Sequence, residues 1–466
     1  AVCSPTRSSA LTGRTPDREC IYGAEGCGSD PAWECVENMP MPPPTFTVAE
    51  AAKALNYSTI HVGKWHLGDF FPKAEAKKKQ TFAHKKWPAS HPGIHGYDEW
   101  FSTEASASSS TTNCGCEPQW KNEGKGCIVG GGEYEHQALS CTNYWYPTDL
   151  SKSHQPTNPE CHDATTSKLS CVANLTSKVP DDDTKEILDV FEDFLKRKTS
   201  SGEASPFLAN LWLHTNHVPH PALPEWYHAY NGTDGQWAGD YLGTISQMDA
   251  QIGRLRQMLK HYGVANNTML WFTADNGPHT QSEAPTRSSN QATGGLRQCK
   301  ASLFEGGIRV PGIVEWPQGI TSNMVTDVPA YTSDYLPTIL DVFGMQHPQP
   351  TWHSDGVSLL PLIKNQMTTR PKPMGFRLGT QVAWIDNDMK LVYKPAQGQC
   401  LHFLPPYGKM RHPDGPFLFN ITADPTESHD LSKEDPKTFQ EMHAAMNAWQ
   451  QTIADSQKHE SGCVKA

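Results

Sequence analysis

The chain has 466 residues, and its 39 Lys+Arg against 50 Asp+Glu give a formal charge of −11. This length suffices to bury a sizeable core, whereas the acidic balance excludes a nucleic-acid binder that neutralises phosphates with a basic stripe. No run of about 18 apolar residues occurs, so no membrane-spanning helix is expected.

The first 180 residues combine helical and strand-like patterns, which favours an α/β fold. Thr47 and Glu50 predict a capping box at the start of a helix. A short strand is expected at 58–62, directly before the segment 63–68. Residues 100–180 are rich in Ser, Thr, Gly and Cys with little periodicity, so we expect a loop insertion held by disulfides.

The middle of the chain continues this alternation. Asp183 or Thr184 is expected to cap a helix with an apolar face. A buried strand at 207–213 leads to a long helix at about 240–262, which is followed by a further strand at 268–274. Gly263 is expected to end the helix at 240–262. A further helix is expected at 333–343, with Pro337 in its first turn.

The character of the chain changes after residue 356. Short strands at 382–385, 390–393 and 417–420, followed by an amphipathic helix at 436–453, predict a small antiparallel sheet with a helix. We therefore expect a large α/β domain over 1–364, with a mixed, mostly parallel sheet sandwiched by helices, and a small α+β domain over 365–466.

Cysteines and glycosylation sequons indicate an oxidising compartment. The chain has 13 cysteines, nine of them between positions 20 and 171, and an odd number leaves one thiol over when disulfides form. Five Asn-x-Ser/Thr sequons lie at Asn56, Asn174, Asn231, Asn266 and Asn420. A disulfide-bonded glycoprotein that is secreted or lysosomal is the expectation.

Three predicted strands end in polar, ionisable residues. Ligands of parallel α/β sheets bind beyond the carboxyl ends of the strands, so these residues predict one convergent site. The alternative is that each is an ordinary loop residue. The residues are Lys64, His66, His214, His217, Asp275 and Asn276.

The opening segment combines a nucleophile with an anion-binding pattern. Pro5 suits a first helical turn and Gly13 a helix stop, which places Cys3 at a helix N-terminus with Arg7 one turn later. The alternative is a surface helix cap with a disulfide-bonded Cys3. A cysteine-dependent phosphatase is excluded, because Ser9 stands where such an enzyme needs arginine.

Cys3-x-Pro5-x-Arg7 followed by 11–14 resembles the signature of type I sulfatases, which are formylglycine-dependent members of the alkaline phosphatase superfamily. Further segments resemble other elements of that family in the expected order over nearly the whole chain. They are 63–68, 216–219, 273–277, 299–311 and 424–431. The arylsulfatase A and galactosamine-sulfate sulfatase group is the nearest in pattern.

This resemblance implies a role for each matching residue. The formylglycine-generating enzyme would convert Cys3 to Cα-formylglycine, whose hydrate attacks sulfur and binds the sulfate covalently. Ca²⁺ would be held by Cys3, Asp275 and Asn276, and a disulfide would join Cys299 to Cys400. The remaining implied catalytic residues are Arg7, Lys64, His66, His217 and Lys300.

Two departures from the family pattern carry expectations. Paired aspartates that the family has upstream of the cysteine motif do not precede Cys3, so we expect a catalytic domain without its first strand, an under-coordinated Ca²⁺ and low activity. Thr6 stands where the family most often has Ser; it keeps a hydroxyl, so we expect Cys3 still to be modified.

Three functions remain open at this stage. The first is hydrolysis of sulfated carbohydrates or aryl sulfates. The second is a phosphate or phosphonate monoester hydrolase of the same superfamily, and the third is a secreted glycan-binding pseudo-sulfatase. The oligomeric state, including a homo-oligomer, also stays open.

Overall fold

The fold is described from a computed structural model. The described residues are 2–23, 40–42, 45–68, 90–103, 144–147, 169–172, 183–200, 205–217, 222–230, 236–278, 292–393 and 415–459. They fall into two compact units: a discontinuous unit, Ala1–Ala51 with Met269–Ala466, and a central unit, Ala52–Thr268. The predicted division at 364/365 is a different one and stays a prediction.

The central unit contains a mixed five-stranded sheet in the order β4-β3-β2-β1-β5. Strand β1 pairs in parallel with both β2 and β5, whereas β3 runs antiparallel to β2 and β4. The strands are β1 Ser58–Lys64, β2 Glu99–Thr103, β3 Tyr144–Pro147, β4 Leu169–Val172 and β5 Phe207–Trp212. This parallel centre confirms the α/β fold class.

The loop insertion predicted at 100–180 contains short strands that the sequence did not predict. Strand β2 ends within this range, and β3 and β4 lie inside it. These strands are four or five residues long, too short for a clear period-2 pattern. Pairing with neighbours, as in Ile60 opposite Glu99, fixes their conformation instead.

Helices pack beside this sheet. Helix α3 (Thr184–Thr199) buries Ile187, Phe191 and Phe194, as its apolar face predicts. Strand β5, expected to be buried, is only partly covered, and β1 is its strand partner among the described residues. The other helices of this unit are α4 Pro224–His228 and α5 Gln236–His261, and Gly263 ends the latter at a φ of 72°.

The N-terminal part of the discontinuous unit contains α1 (Cys3–Thr12), which Gly13 ends in the left-handed region at a φ of 68°. A 3-10 turn (Pro16–Glu19) follows, and then α2 (Val48–Ala54). The capping box of α2 is confirmed: the Thr47 amide donates to Glu50 Oε2 at 2.8 Å, and the Glu50 amide donates to Thr47 Oγ1 at 3.3 Å.

The C-terminal part contains an antiparallel sheet in the order β11-β10-β9-β8. One face packs on the final helix, where Trp384 and Leu391 meet Met446 and Trp449. The other face packs on a cluster that includes Phe304. The strands are β8 Met374–Leu378, β9 Gln381–Asp386, β10 Met389–Tyr393 and β11 Phe417–Asn420.

This unit also contains a separate two-stranded antiparallel sheet, β6 (Leu270–Thr273) and β7 (Gly312–Glu315). The helices are α6 Glu305–Ile308, α7 Tyr335–Phe343, α8 Leu360–Ile363 and α9 Pro436–His459. Pro337 lies in the first turn of α7, as predicted. Within the described ranges, no helix is long and apolar enough to cross a membrane.

Candidate active site

Cys3 is the first residue of α1, as the opening motif predicts. It is 3% exposed and is present as a thiol, so the alternative of a surface cap with a disulfide is wrong. Its Sγ donates to Asn276 Oδ1 at 3.9 Å, across 273 positions of the sequence. The N-terminus of α1 therefore presents a buried cysteine side chain beside the segment that follows β6.

Asp275, two residues after the end of β6, contacts two residues of α1. Arg7 Nη2 lies 3.3 Å from Asp275 Oδ2, with the Arg7 side chain 8% and the Asp275 side chain 30% exposed. The Thr6 hydroxyl donates to the Asp275 carbonyl oxygen at 2.6 Å. Both contacts hold the segment after β6 against α1. The sequence predicted only that the Thr6 hydroxyl permits modification of Cys3, and not this hydrogen bond to Asp275.

Lys300 belongs to a tightly packed segment of the same unit. Its amide donates to the Pro278 carbonyl at 3.0 Å, while the Gly277 amide donates to the Gly307 carbonyl at 2.9 Å. A Cβ on Gly277 would lie 1.9 Å from the Gly306 carbonyl oxygen, so only glycine permits this approach. Lys300 is buried, and its backbone is fixed against the segment that carries Asp275 and Asn276.

The donors present suit a hard cation in kind but not in number. Asp275 offers carboxylate oxygens and Asn276 an amide oxygen next to Cys3. Ca²⁺ takes about six to eight oxygens, and no group of three or more His, Cys, Asp or Glu side chains suited to a metal ion occurs within the described ranges. These residues can supply part of a calcium site and not a complete one.

Lys64 and His66 lie at the carboxyl end of β1 in the central unit. Both are buried, at 3% and 7% exposure. Gly63, at a φ of 101°, has no room for a Cβ, which would lie 2.2 Å from the Trp212 carbonyl oxygen. Trp65 packs as expected: its Nε1 donates to the Ser90 carbonyl at 2.7 Å.

Ser90 in turn contacts a buried histidine. Ser90 Oγ lies 3.0 Å from His95 Nε2, and burial lowers the pKa of His95 to about 3. His95 is therefore neutral near pH 7. The contacts from Trp65 through Ser90 to His95 thus hold the turn after β1 without placing a charge there.

His214 follows β5 and makes two buried side-chain contacts that the sequence did not predict. Its Nδ1 lies 2.8 Å from Asp183 Oδ2, and its Nε2 lies 2.9 Å from Thr103 Oγ1. Asp183 is the N-cap residue of α3, as predicted, but its side chain makes no hydrogen bond to the first turn of the helix. The Asp183 carboxylate contacts the His214 imidazole instead. Nothing in the sequence indicated this contact beyond the position of Asp183 just before α3.

His217 comes three residues later, and its amide donates to the His214 carbonyl at 2.8 Å. The ends of β1 and β5 meet at one edge of the sheet, since the strands are parallel and Gly63 pairs with Trp212. This edge brings Lys64, His66, His214 and His217 to neighbouring strand ends. Pro219, which belongs to the same motif as His217, and His220, which follows that motif, lie outside the described residues.

The sequence-predicted residues thus divide between the units. Cys3, Arg7, Asp275, Asn276 and Lys300 lie in the discontinuous unit, and Lys64, His66 and His217 in the central unit. Convergence of all three strand ends stays a prediction. Cys299 is disulfide-bonded, whereas Cys400 lies outside the described residues.

Comparison with known proteins identifies the family. A family model described as Sulfatase matches residues 1–345, about three quarters of the chain. The chain belongs to the sulfatase family. Members of this family hydrolyse sulfate esters and generally depend on formylglycine and a metal ion, and this sulfatase is an enzyme of that class.

Individual relatives support the same assignment. The sulfatase is 27% identical to steryl-sulfatase from Rattus norvegicus over 96% of its own length and 80% of the relative's. It is 27% identical to N-acetylgalactosamine-6-sulfatase from Mus musculus over 92% and 73%. The solved structure of Ps i-CgsB in complex with k-i-k-neocarrahexaose matches with a TM-score of 0.65 and 21% identity, over 96% and 82%.

The last comparison concerns the fold alone. It agrees with the mixed parallel sheet of the central unit and the separate antiparallel sheet at the C-terminus. The sulfatase therefore has the alkaline-phosphatase-like fold that its motifs imply.

Proposed function

We propose that this sulfatase hydrolyses sulfate esters through Cys3 after its conversion to Cα-formylglycine by the formylglycine-generating enzyme. The observation that carries the proposal is the position of Cys3, buried at the N-terminus of α1 and next to Asn276 and Asp275. In the modified enzyme, an oxygen of the aldehyde hydrate stands where Sγ is now. The amides of the first helical turn and Arg7 favour an anion there.

The hydrate supplies two hydroxyl groups, and each has its own step. One oxygen attacks sulfur while the bond from sulfur to the substrate oxygen breaks, and the leaving alcohol takes up a proton. The second hydroxyl then loses its proton, the carbon–oxygen bond to the sulfate breaks, and the aldehyde re-forms with release of sulfate. Water adds to the aldehyde and restores the hydrate.

The remaining residues are assigned to this cycle by their chemistry. Arg7 and Lys64 stabilise negative charge on the nucleophile and on the sulfate oxygens. His66 accepts the proton of the second hydroxyl. His217 and Lys300 bind sulfate, and one of them donates the proton to the leaving alcohol.

Asp275 and Asn276, together with the modified Cys3, are proposed to hold Ca²⁺, with further oxygen ligands beyond the described set. When bound, the cation would stabilise charge on sulfate oxygens. Arg7 Nη2 lies 3.3 Å from Asp275 Oδ2 and orients this carboxylate.

The proposed substrates are sulfated carbohydrates or aryl sulfates. Support comes from the names of the relatives, one of which is an N-acetylgalactosamine-6-sulfatase, and from the complex of Ps i-CgsB with a neocarrahexaose. We also propose passage through the secretory pathway, to a lysosomal or secreted location. The disulfide-bonded Cys20 and Cys299 and the exposed sequon residues Asn56 and Asn266 support this.

The test is turnover of a fluorogenic aryl sulfate by protein from a secretory host, with the matching aryl phosphate measured in parallel. We expect sulfate release and a loss on the order of a thousandfold or more in Cys3→Ala. Preference for phosphate would support the phosphomonoesterase alternative. Binding of sulfated glycans with no turnover would support the pseudo-sulfatase.

A further inference from the structure

A buried cluster of three charged side chains lies behind the Lys300 segment. Lys390 Nζ, on β10, is 2.8 Å from Glu305 Oε1 and 2.8 Å from Glu427 Oε1. The exposed fractions of these side chains are 0% for Lys390, 4% for Glu305 and 0% for Glu427. Removing three charged groups from water costs free energy unless they are paired. The fold must therefore keep Lys390 in contact with both carboxylates.

Glu427 also binds the backbone of the segment. Its Oε2 accepts a hydrogen bond from the Glu305 amide at 2.6 Å, and its carbonyl oxygen accepts one from Arg297 Nη1 at 2.6 Å. The Arg297 guanidinium in turn lies 4.0 Å from the centroid of the Phe304 ring. Glu427 thus contacts the segment 297–305 on both sides of Lys300.

Glu427 is itself fixed by the turn that carries it. Its backbone is left-handed, with a φ of 53°, and its amide donates to the Asp424 carbonyl at 3.1 Å. Non-glycine residues adopt this conformation rarely and only where surrounding contacts require it. The turn 424–427, which the sequence marks as a terminal motif, therefore presents Glu427 in one orientation.

The contacts continue from this cluster to the residues of the active site. The Gly306 amide donates to the Arg297 carbonyl at 2.8 Å, the Gly277 amide to the Gly307 carbonyl, and the Lys300 amide to the Pro278 carbonyl. A change in position of Glu305 is therefore transmitted through the backbone to Lys300 and to the segment that bears Asp275.

The charge balance agrees with a permanent structural cluster. Burial disfavours the ammonium group, but the two carboxylates outweigh it and raise the pKa of Lys390. Burial raises the pKa of Glu427 to about 7, against the attraction of Lys390. The cluster thus keeps the Lys390 ammonium group between two buried carboxyl groups.

We propose that Glu427, Lys390 and Glu305 are positioning residues for the sulfatase reaction, which hold the Lys300 segment and the Asp275–Gly277 turn in their catalytic arrangement from the C-terminal sheet. This inference rests on the proposed function of the Lys300 site. It gives the 424–427 motif a role in the reaction, in addition to its role in the fold.

The decisive variant is Glu427→Ala, which removes the acceptor of the Glu305 amide and one partner of Lys390. We expect kcat on an aryl sulfate to fall on the order of 10- to 100-fold, as for other small displacements of catalytic groups. Glu427→Gln keeps an acceptor for the amide and is expected to restore most of kcat. Formylglycine content at position 3, measured by mass spectrometry, should be unchanged in both variants.

The matched control is Met446→Ala, a buried residue of α9 on the other face of the same sheet. It should lower the melting temperature while kcat, measured below that temperature, stays at the wild-type value. If Glu427→Ala and Met446→Ala both lose only stability and retain full kcat, the positioning role is contradicted.

Amide hydrogen exchange separates this proposal from the proposed function. Protection of the Lys300 and Gly277 amides should fall in Glu427→Ala and stay unchanged in Met446→Ala. If the wild-type enzyme releases no sulfate but these amides respond as stated, the proposed function fails, whereas the finding that Glu427 holds the Lys300 segment in place stands. Unchanged protection in Glu427→Ala contradicts the positioning role whatever the activity.

Discussion

The two groups of candidate catalytic residues are held in different ways. Around α1, single side-chain contacts join parts of the chain that lie far apart, as in the Thr6 hydroxyl on the Asp275 carbonyl, 269 positions away. At the ends of β1 and β5, backbone pairing places Lys64 and His66 beside the residues after Trp212. A group held by a few side chains depends strongly on each of them, whereas a backbone ladder tolerates single changes. The difference predicts that substitutions around α1 have the larger effects.

Apart from Cys3→Ala, the largest effect is expected for Arg7→Lys. The variant keeps a positive charge but loses the planar fork that reaches Asp275. We expect kcat/KM on an aryl sulfate to fall by about 10²–10³, or ~3–4 kcal/mol. Arg254→Lys, which changes a partly exposed arginine that pairs with Asp189 and Glu192 in the central unit, is the control and should leave kcat/KM unchanged.

A comparable effect, on stability, is expected from Asp17, which lies in the 3-10 turn after α1. Burial raises the pKa of Asp17 to about 7, more than Arg377, 3.6 Å away, lowers it. Since the folded pKa is above the unfolded value of 3.8, the stabilisation is complete below about pH 4 and is lost as pH rises through 7.

The measurement is the free energy of unfolding in urea at pH 5 and pH 8. Wild type should be more stable at pH 5, and the Asp17 contribution over the whole titration is about 2–4 kcal/mol. Asp17→Asn should remove this part of the pH dependence and leave the parts due to other buried carboxyl groups. An equal pH dependence in the two proteins would show that Asp17 titrates normally.

Thr6→Val tests the tie between α1 and β6 at a smaller scale. Loss of the hydroxyl leaves the Asp275 carbonyl without this donor and should cost about 1–2 kcal/mol of stability. Thr6→Ser keeps the hydroxyl and should behave like wild type in thermal unfolding. If Val and Ser variants are equally stable, the bond contributes nothing to the tie.

The smallest effect is expected in the central unit, for Asp183→Asn. Asparagine can still accept a hydrogen bond from His214 Nδ1, while the backbone ladder keeps the strand ends in place. We expect kcat on an aryl sulfate to fall by about tenfold or less, ~1 kcal/mol. A loss greater than that of Arg7→Lys would reverse the comparison.

Local sequence signals predicted much of the fold and the composition of the site. Gly13 as the end of α1 and the Thr47–Glu50 capping box follow from near neighbours, and the structure confirms both. The strand ends at Lys64 and His214 follow from short apolar runs. In each case the signal lies within a few residues of the feature it predicts.

Features set by distant partners were missed for the same reason. Strand β2 exists because β1 pairs with it, and β8 because β9 does. The sequence predicted Asp183 only as a helix cap, whereas in the structure its carboxylate contacts His214. The cluster of Lys390 with Glu305 and Glu427 joins residues that no local pattern relates, so only the tertiary structure reveals it.

The central claim is that Cys3 becomes the nucleophile only after oxidation to formylglycine. The most direct test is mass spectrometry of the peptide that contains position 3, taken from enzyme whose turnover of an aryl sulfate has been measured in the same preparation. The account predicts an aldehyde at this position, in a fraction that rises and falls with the specific activity across preparations. Full turnover by protein that carries only the unmodified thiol at Cys3 would contradict it.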